Sequence, residues 1–320
     1  MQQMQALIEN LLMFLIIILI GYILRSKNKI HENLQNDLSF ILMKITLPCL
    51  IFLSIAQPFN QTLMKQGISA FAIMLVCFLI GSIVGFISMK AFHVEASQRG
   101  IWLLEATFSN IGFMGYPVIN SMYGSHGMFI ASFANIAFNI IYYTFGAMMI
   151  RGKKEKEPFD WNEVFLNNIM LSILFGLTFF FARIEVGDFV KNTINTVGNL
   201  TTPLAMLIIG LKLGEFPLKE VFNNIKQYQL CLVRLIIFPI VIVYFFKILP
   251  IEQNSLILTV LIVLNAMPMS ANSIVMANMY GGDAAFAAKA TTLSSILCLF
   301  TLPIILLRSE EHTSELQSQP

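Results

Sequence analysis

The sequence predicts an all-α membrane protein: ten transmembrane helices in two inverted five-helix repeats, with helices 4 and 9 broken. Three observations carry this. The 320 residues are 57% hydrophobic and only 12% charged, about half the charged share of a soluble chain. The apolar residues gather into runs of roughly 20, the length that crosses a bilayer. Two of these runs, one in each half, are interrupted at matching places by Pro and Asn, the first by Gly as well, a pattern that points to a ligand site at mid-membrane.

The spans follow in order. Span 1 is Leu7–Leu24, and the basic run Arg25, Lys27, Lys29 follows it. Span 2, Leu38–Gln57, holds Lys44 and Pro48. Span 3, Gly67–Met89, is uncharged, span 4 is Gly100–Tyr123, and span 5, Gly127–Ile150, is again uncharged. The most polar loop comes next, R-G-K-K-E-K-E-P-F-D-W (Arg151–Trp161). Spans 6 to 8 are Val164–Ala182, Asn192–Leu211 with Pro203, and Gln227–Phe246 with Arg234. Span 9 is Gln253–Met279, and span 10, Ala284–Leu307, carries Lys289. The division is thus 1–150 for the first repeat, 151–163 for a cytoplasmic loop and 164–307 for the second repeat. Residues 308–320 change composition abruptly. R-S-E-E-H-T-S-E-L-Q-S (Arg308–Ser318) matches the translation of a sequencing-library adapter, so this tail is left out of the fold.

The first interruption is S-N-I-G-F-M-G-Y-P (Ser109–Pro117). Proline removes a helix hydrogen bond and crowds the preceding turn, and glycine loosens the helix further, so Gly112, Gly115 and Pro117 are expected to break span 4. The second is L-N-A-M-P-M-S-A-N-S (Leu264–Ser273), broken around Pro268. Broken backbone at membrane depth is tolerated only inside protein or beside a cavity. Two copies of one plan account for the pairing. Pro48 and Pro203 lie 155 residues apart, as do Asn110 and Asn265. M-Y-G (Met122–Gly124) recurs as M-Y-G (Met279–Gly281).

Half-helix N-termini at such breaks carry partial positive charge and free N–H donors, which suits a carboxylate. Asn110, Asn265, Ser270 and Asn272 add neutral donors and acceptors beside the breaks. The candidate substrate-binding residues are therefore Asn110, Gly112, Gly115, Pro117, Asn265, Pro268, Ser270 and Asn272. Capping of freed backbone is the competing role for the asparagines, and for Ser270 and Asn272 the two roles weigh equally. Ionisable residues inside spans are functional candidates by default. Here they are Lys44, Glu105, Arg234 and Lys289. Lys289 lies near a span end, where it can snorkel. Lys44 and Arg234 can pair with Glu105 or with substrate, and Glu105 is the candidate carrier of a coupling proton. The polar start of span 7 (Asn192, Thr193, Asn195, Thr196, Asn199) suits a cavity or an interface.

Four segments in order resemble the auxin efflux carrier family, and specifically its prokaryotic members: T-L-P-C-L-I-F (Thr46–Phe52), Ser109–Pro117, T-P-L-A-M-L-I-I-G-L-K-L (Thr202–Leu213), and N-A-M-P-M-S-A-N-S with Y-G-G-D (Asn265–Asp283). The similarity runs from Leu7 to Leu307. It implies the ten-helix inverted repeat with the broken helices 4 and 9 crossing at mid-membrane, an architecture like that of bile acid symporters and Na⁺/H⁺ antiporters. It also implies a scaffold domain and a mobile transport domain. The function implied is that of a permease moving small carboxylates such as malate or malonate. The long hydrophilic loop of many plant members is missing here.

Other classes fit less well. No H-E-x-x-H, no G-x-S-x-G and no intramembrane aspartate pair points to an enzyme. No cofactor or metal is expected, since Cys49, Cys77, Cys231 and Cys298 sit apart in apolar runs. A net charge of +2 gives no nucleic-acid signature. With no nucleotide-binding loop, a proton or sodium gradient is the energy source. The alternatives are a sodium-coupled symporter of the bile acid type and, from another class, a channel or membrane sensor. The expected partners are a small organic anion and the lipid bilayer, with a homodimer left open.

The expected location is the prokaryotic cytoplasmic membrane, as a multi-pass protein. Twelve of the sixteen loop Lys and Arg follow odd-numbered spans, which puts those loops in the cytoplasm and the N-terminus outside. A cysteine placed within Arg151–Trp161 is expected to resist an impermeant thiol reagent in intact cells. Ready labelling would reverse the orientation.

Overall fold

A computed structural model describes residues 2–27, 29–31, 33–151, 165–214, 222–248 and 255–317. The polar loop at 152–163 lies outside them. The described residues are helical throughout, with no strand beyond one isolated bridge. In chain order the helices are α1 (Gln2–Ser26), α2 (Leu34–Ile55), α3 (Gln61–Ala91), α4 (Arg99–Thr107), α5 (Ile111–Ile150) and α6 (Asn168–Ala182). They continue with α7 (Asp188–Leu213), α8 (Ile225–Ile248), α9 (Leu256–Ala266), α10 (Ser273–Tyr280) and α11 (Ala284–Gln317). Six of them, α2, α3, α5, α7, α8 and α11, are long and apolar enough to cross a membrane.

Apolar side chains cover the outside at helical spacing: Leu12, Ile16, Leu19 and Ile23 on α1, Leu79, Ile83 and Phe86 on α3, and Leu171, Leu174 and Phe175 on α6. Polar groups gather inside, among them Glu105, Asn110, Asn135, Arg234, Asn265 and Thr291. That distribution suits lipid as solvent, where exposed apolar faces carry no penalty and polar groups seek partners within the bundle.

Two returns position the centre. α5 bends at Gly124, whose φ of 54° and ψ of −151° are open to glycine and costly for other residues. Its far half then runs back beside α4. Leu104 packs on Gly146, and the rings of Phe108 and Tyr142 meet edge-on at 5.0 Å. α11 returns along α9 and α10, with Cys298 Sγ donating to Ala266 O at 3.8 Å and Ser294 Oγ accepting from Met269 N at 3.2 Å. Gly281 ends α10 at a φ of 72°. The two M-Y-G copies thus place the two described glycines of positive φ.

Prolines leave a second signature. Helical turns widen over Leu42–Thr46, Ile111–Gly115 and Val233–Ile237, two residues ahead of Pro48, Pro117 and Pro239. In each, the residue before the proline donates five positions back: Leu47 to Leu42, Tyr116 to Ile111 and Phe238 to Val233. A proline ring crowds the carbonyl four residues back and offers it no donor. An extra residue in the turn relieves the crowding, as π-type bulges do.

α1 and the second half of α7 approach closest of all. A Cβ on Gly21 would stand 2.4 Å from Leu207 O, and one on Gly210 would stand 2.0 Å from Ile18 O. Small residues at such contacts let helices meet through their backbones. Gly210→Ala is expected to force the pair apart at a cost of about 1–3 kcal/mol. In detergent its thermal unfolding midpoint should fall below those of the wild type and of the lipid-facing control Leu174→Ala. A midpoint equal to both would contradict the contact.

Candidate functional site

The centre is a crossing of two broken helical paths. The first runs from α4 through extended Phe108 to Asn110 and into α5. The second runs from α9 through Met267 to Asn272 and into α10. Ser109 and Met269 pair as an antiparallel bridge there, and Asn110 N donates to Pro268 O at 2.8 Å. The first break therefore falls ahead of Gly112, Gly115 and Pro117, which the sequence pattern took as its cause. Pro117 sits instead inside the helix that follows, just behind the widened turn Ile111–Gly115 that relieves its clash.

The breaks free carbonyls at the ends of α4 and α9, and one side chain gathers them. Arg234, fully buried in the widened turn of α8, donates from Nη1 to Ala106 O and Thr107 O, both at 3.3 Å. Its Nη2 donates to Asn265 O at 3.0 Å and its Nε to Met267 O at 3.2 Å. Two helix C-termini each carry about half a negative charge, so one guanidinium offsets both. Its fixed fork of donors suits four acceptors in a way a single ammonium does not.

The opposite ends, the N-termini of α5 and α10, border a cavity of about 210 Å³. Asn110 Oδ1 caps α5 by accepting from Phe113 N at 3.1 Å, and Asn110, Gly112, Ser270 and Asn272 line the space. The walls come from Asn135 and Asn139 on the returning half of α5, from Asn167 and Asn168 at the start of α6, and from Lys44 on α2. Among the described lining residues there is no Asp or Glu, and Lys44 is the one cation.

Lys44 owes its position to Pro48, four residues on. Pro48 has no N–H for the Lys44 carbonyl, and Asn168 Nδ2 donates to that carbonyl at 3.4 Å. The same amide's Oδ1 accepts from Lys44 Nζ at 3.1 Å, so Asn168 holds the residue at both ends. A relay completes the wall. Asn167 Oδ1 caps α6 through Met170 N at 2.9 Å, its Nδ2 donates to Asn139 Oδ1 at 3.2 Å, and Asn139 Nδ2 donates to Asn135 O at 2.9 Å. Two buried groups of lining residues, Asn135 Nδ2 and Ser109 Oγ, have no hydrogen-bond partner among the described residues. A buried polar atom left unmatched costs about 1–3 kcal/mol, so both are available to an incoming ligand.

Of the residues expected at the site, Asn110, Gly112, Ser270, Asn272 and Lys44 meet at this cavity. Gly115, Pro117, Asn265 and Pro268 are not in its lining. A Cβ on Gly115 would meet Leu264, Asn265 Nδ2 donates to Leu261 O at 2.8 Å, and Pro268 serves the crossing through its carbonyl. Arg234 and Lys44 pair with carbonyls and an amide rather than with Glu105. Glu105 is fully buried on α4, its Oε1 lying 2.7 Å from Ser273 Oγ and 2.9 Å from Thr291 Oγ1. Lys289 is half-buried on α11, outside the lining. The polar start of α7 is mostly exposed and also lies outside it, with Thr193 and Thr196 bonding back to their own helix. Sequence reasoning missed Ser109 as a lining residue, and with it Asn135, Asn139, Asn167 and Asn168. The signal was two asparagines at i, i+4 in an apolar span and an Asn pair where the next apolar run begins.

A family model described as membrane transport protein matches residues 6–306. An uncharacterized transporter of Methanocaldococcus jannaschii is 24% identical over 303 residues, which cover 92% of this chain and 96% of the relative. Another, of Methanothermobacter thermautotrophicus, is 24% identical over 306 residues, with the same 92% and 96% coverage.

The clamp at the crossing has a direct test. Arg234→Met leaves four buried carbonyls without this donor, at about 1–3 kcal/mol each where nothing replaces it. Its unfolding midpoint in detergent is expected to drop sharply, and Arg234→Lys, which keeps the charge without the fork, should recover only part of the loss. Wild-type stability in Arg234→Met would rule the clamp out.

Proposed function

We propose a function from one premise: the chain belongs to the membrane transport protein family, the auxin efflux carriers whose motifs it bears. Within that family it is a secondary carrier that moves a small organic anion, such as a carboxylate, across the prokaryotic cytoplasmic membrane by alternating access. In this reading ten spans form two inverted five-helix repeats. Spans 4 (α4 with the start of α5) and 9 (α9 with α10) are the broken pair, the N-terminus lies outside, and an ion gradient drives the cycle.

The observation that carries the proposal is a cavity at the crossing with Lys44, several amides and no carboxylate in its described lining. A cation carrier needs a carboxylate where its ion rests. An anion needs donors, and this lining offers an ammonium, asparagine N–H groups and the N-terminal end of α5. The volume also favours a small ligand, since drug-sized pockets begin at about 300 Å³. Repetition supports the inverted architecture: the M-Y-G glycines share a positive φ, and each broken path is flanked by a returning helix.

The test is a panel of small carboxylates, screened by thermal shift and then measured by calorimetry. Lys44→Met removes the one formal charge in the described lining. It is expected to weaken the best ligand about 10- to 150-fold, the worth of a charge-assisted hydrogen bond of roughly 1.5–3 kcal/mol. Lys65→Met, outside the cavity, should bind like the wild type. Equal binding by both variants would remove the cavity from the mechanism.

A further inference from the structure

Glu105 is a fully buried carboxyl group that the anion cavity does not use. Ser273 Oγ lies 2.7 Å from its Oε1 and also 2.7 Å from Ser270 O. Thr291 Oγ1 lies 2.9 Å from the same Oε1. A fourth contact, Ser273 Oγ to Thr291 Oγ1 at 3.4 Å, is long. Each of the three short oxygen–oxygen contacts needs one hydrogen between its atoms. The two hydroxyls supply one each, and the Ser270 carbonyl supplies none. An ionised carboxylate also supplies none, which leaves two hydrogens for three contacts. One proton on Glu105 closes the count: Glu105 donates to Ser273, Ser273 donates to Ser270 O, and Thr291 donates to Glu105.

The surroundings agree. Glu105 Oε2 is buried with no partner among the described residues, a costly state for half of an ionised carboxylate and a milder one for the carbonyl oxygen of an acid. The titratable and charged groups that reach this site are Lys212 of α7, Tyr142 of α5 and Cys231 of α8. Arg234 of α8 is engaged by the carbonyls of the crossing. Among the described residues none of these hydrogen-bonds to Glu105, whose partners are the two hydroxyls.

We propose that Glu105 is a proton site linked to the anion cavity through Ser273 and Ser270, so that proton and anion bind as a pair. Ser270 lines the cavity. With the proton in place, the Ser273 hydroxyl covers the Ser270 carbonyl. When the proton leaves to water, the carboxylate claims that hydroxyl. The carbonyl then loses this donor, and a full negative charge appears behind the crossing. Both changes repel an anion, and by linkage the anion in turn tightens the proton. The linkage rests on the carrier reading above, whereas the proton site does not.

The experiment separates the two. Infrared difference spectra of purified protein between acidic and alkaline buffers are expected to contain a protonated-carboxyl band. That band should vanish in Glu105→Gln and shift in Thr291→Val. Identical spectra for wild type and Glu105→Gln would overturn the proton site, whatever the protein transports. Malonate binding by calorimetry tests the linkage. Wild-type affinity should fall by up to about tenfold per pH unit as the proton is lost, and Glu105→Gln, permanently neutral, should bind with no such slope. The same slope in both would sink the linkage alone. No binding of malonate or any other carboxylate in the panel to the wild type would sink the linkage together with the carrier reading, and the band would still decide the proton site.

Discussion

Four backbone carbonyls from two broken helices converge on one guanidinium, and the rest of the centre depends on that contact. Breaking a helix at membrane depth frees C=O groups on one side of the gap and N–H groups on the other. The Arg234 fork closes the C=O side, and its charge opposes both negative helix ends together. The N–H side is only partly closed. Asn110 Oδ1 accepts from Phe113 N, Asn110 N donates to Pro268 O and Ile111 N to Ser109 O, and the positive end of α5 borders the cavity. In the carrier reading, Arg234 takes up the C=O side so that this positive end can face a ligand.

Prolines place the charged groups that make this work. Lys44 lies four residues before Pro48 and Arg234 five before Pro239, each inside a turn widened by the proline behind it. An ordinary helical turn hides its carbonyls in its own hydrogen bonds. A widened turn leaves one over, and at Pro48 the spare carbonyl is what Asn168 binds. That bond brings the Asn168 oxygen to the Lys44 ammonium. Removing one N–H from α2 thereby fixes a cation on the wall of the cavity, without any carboxylate to hold it there.

Much of this was legible in the residues. Composition and run length gave an all-helical membrane chain, and the paired interruptions led to the crossing. The M-Y-G repeat marked the two glycines that bend or end a helix. The break's position was not legible, because Pro117 and Gly112 look like breakers in a linear reading. The chain instead leaves helical geometry at Phe108–Asn110, where pairing with Met269 and Pro268 replaces the helical bonds. That partner is about 160 residues away in sequence, and local propensity carries no trace of it. Asn135 and Asn168 were missed for the same reason. Each belongs to a pair of asparagines, one within an apolar run and one at a helix end, and only tertiary packing brings the two pairs together around Lys44. Asn265 erred the other way, since its 155-residue offset from Asn110 suggested a shared role. In space one caps a helix facing the cavity, and the other lies among Leu261, Met74 and the Arg234 clamp.

The charge inventory explains how such a cavity could serve a carrier. A bare anion moved through a low-dielectric protein loses hydration worth many kcal/mol, and a site rich in cations would recover that and then hold the ligand too tightly to release it. One lysine offsets a single carboxylate charge and no more. The amides supply hydrogen bonds of about 0.5–1.5 kcal/mol each, enough together to orient a carboxylate and weak enough singly to be given up to water. Asn168 is already the partner of the Lys44 ammonium, so an arriving carboxylate exchanges one acceptor for another and the cation is never bare. Reversible transport needs this balance in both directions, and a lining of amides around one ammonium meets it with groups whose own charge does not change during the cycle.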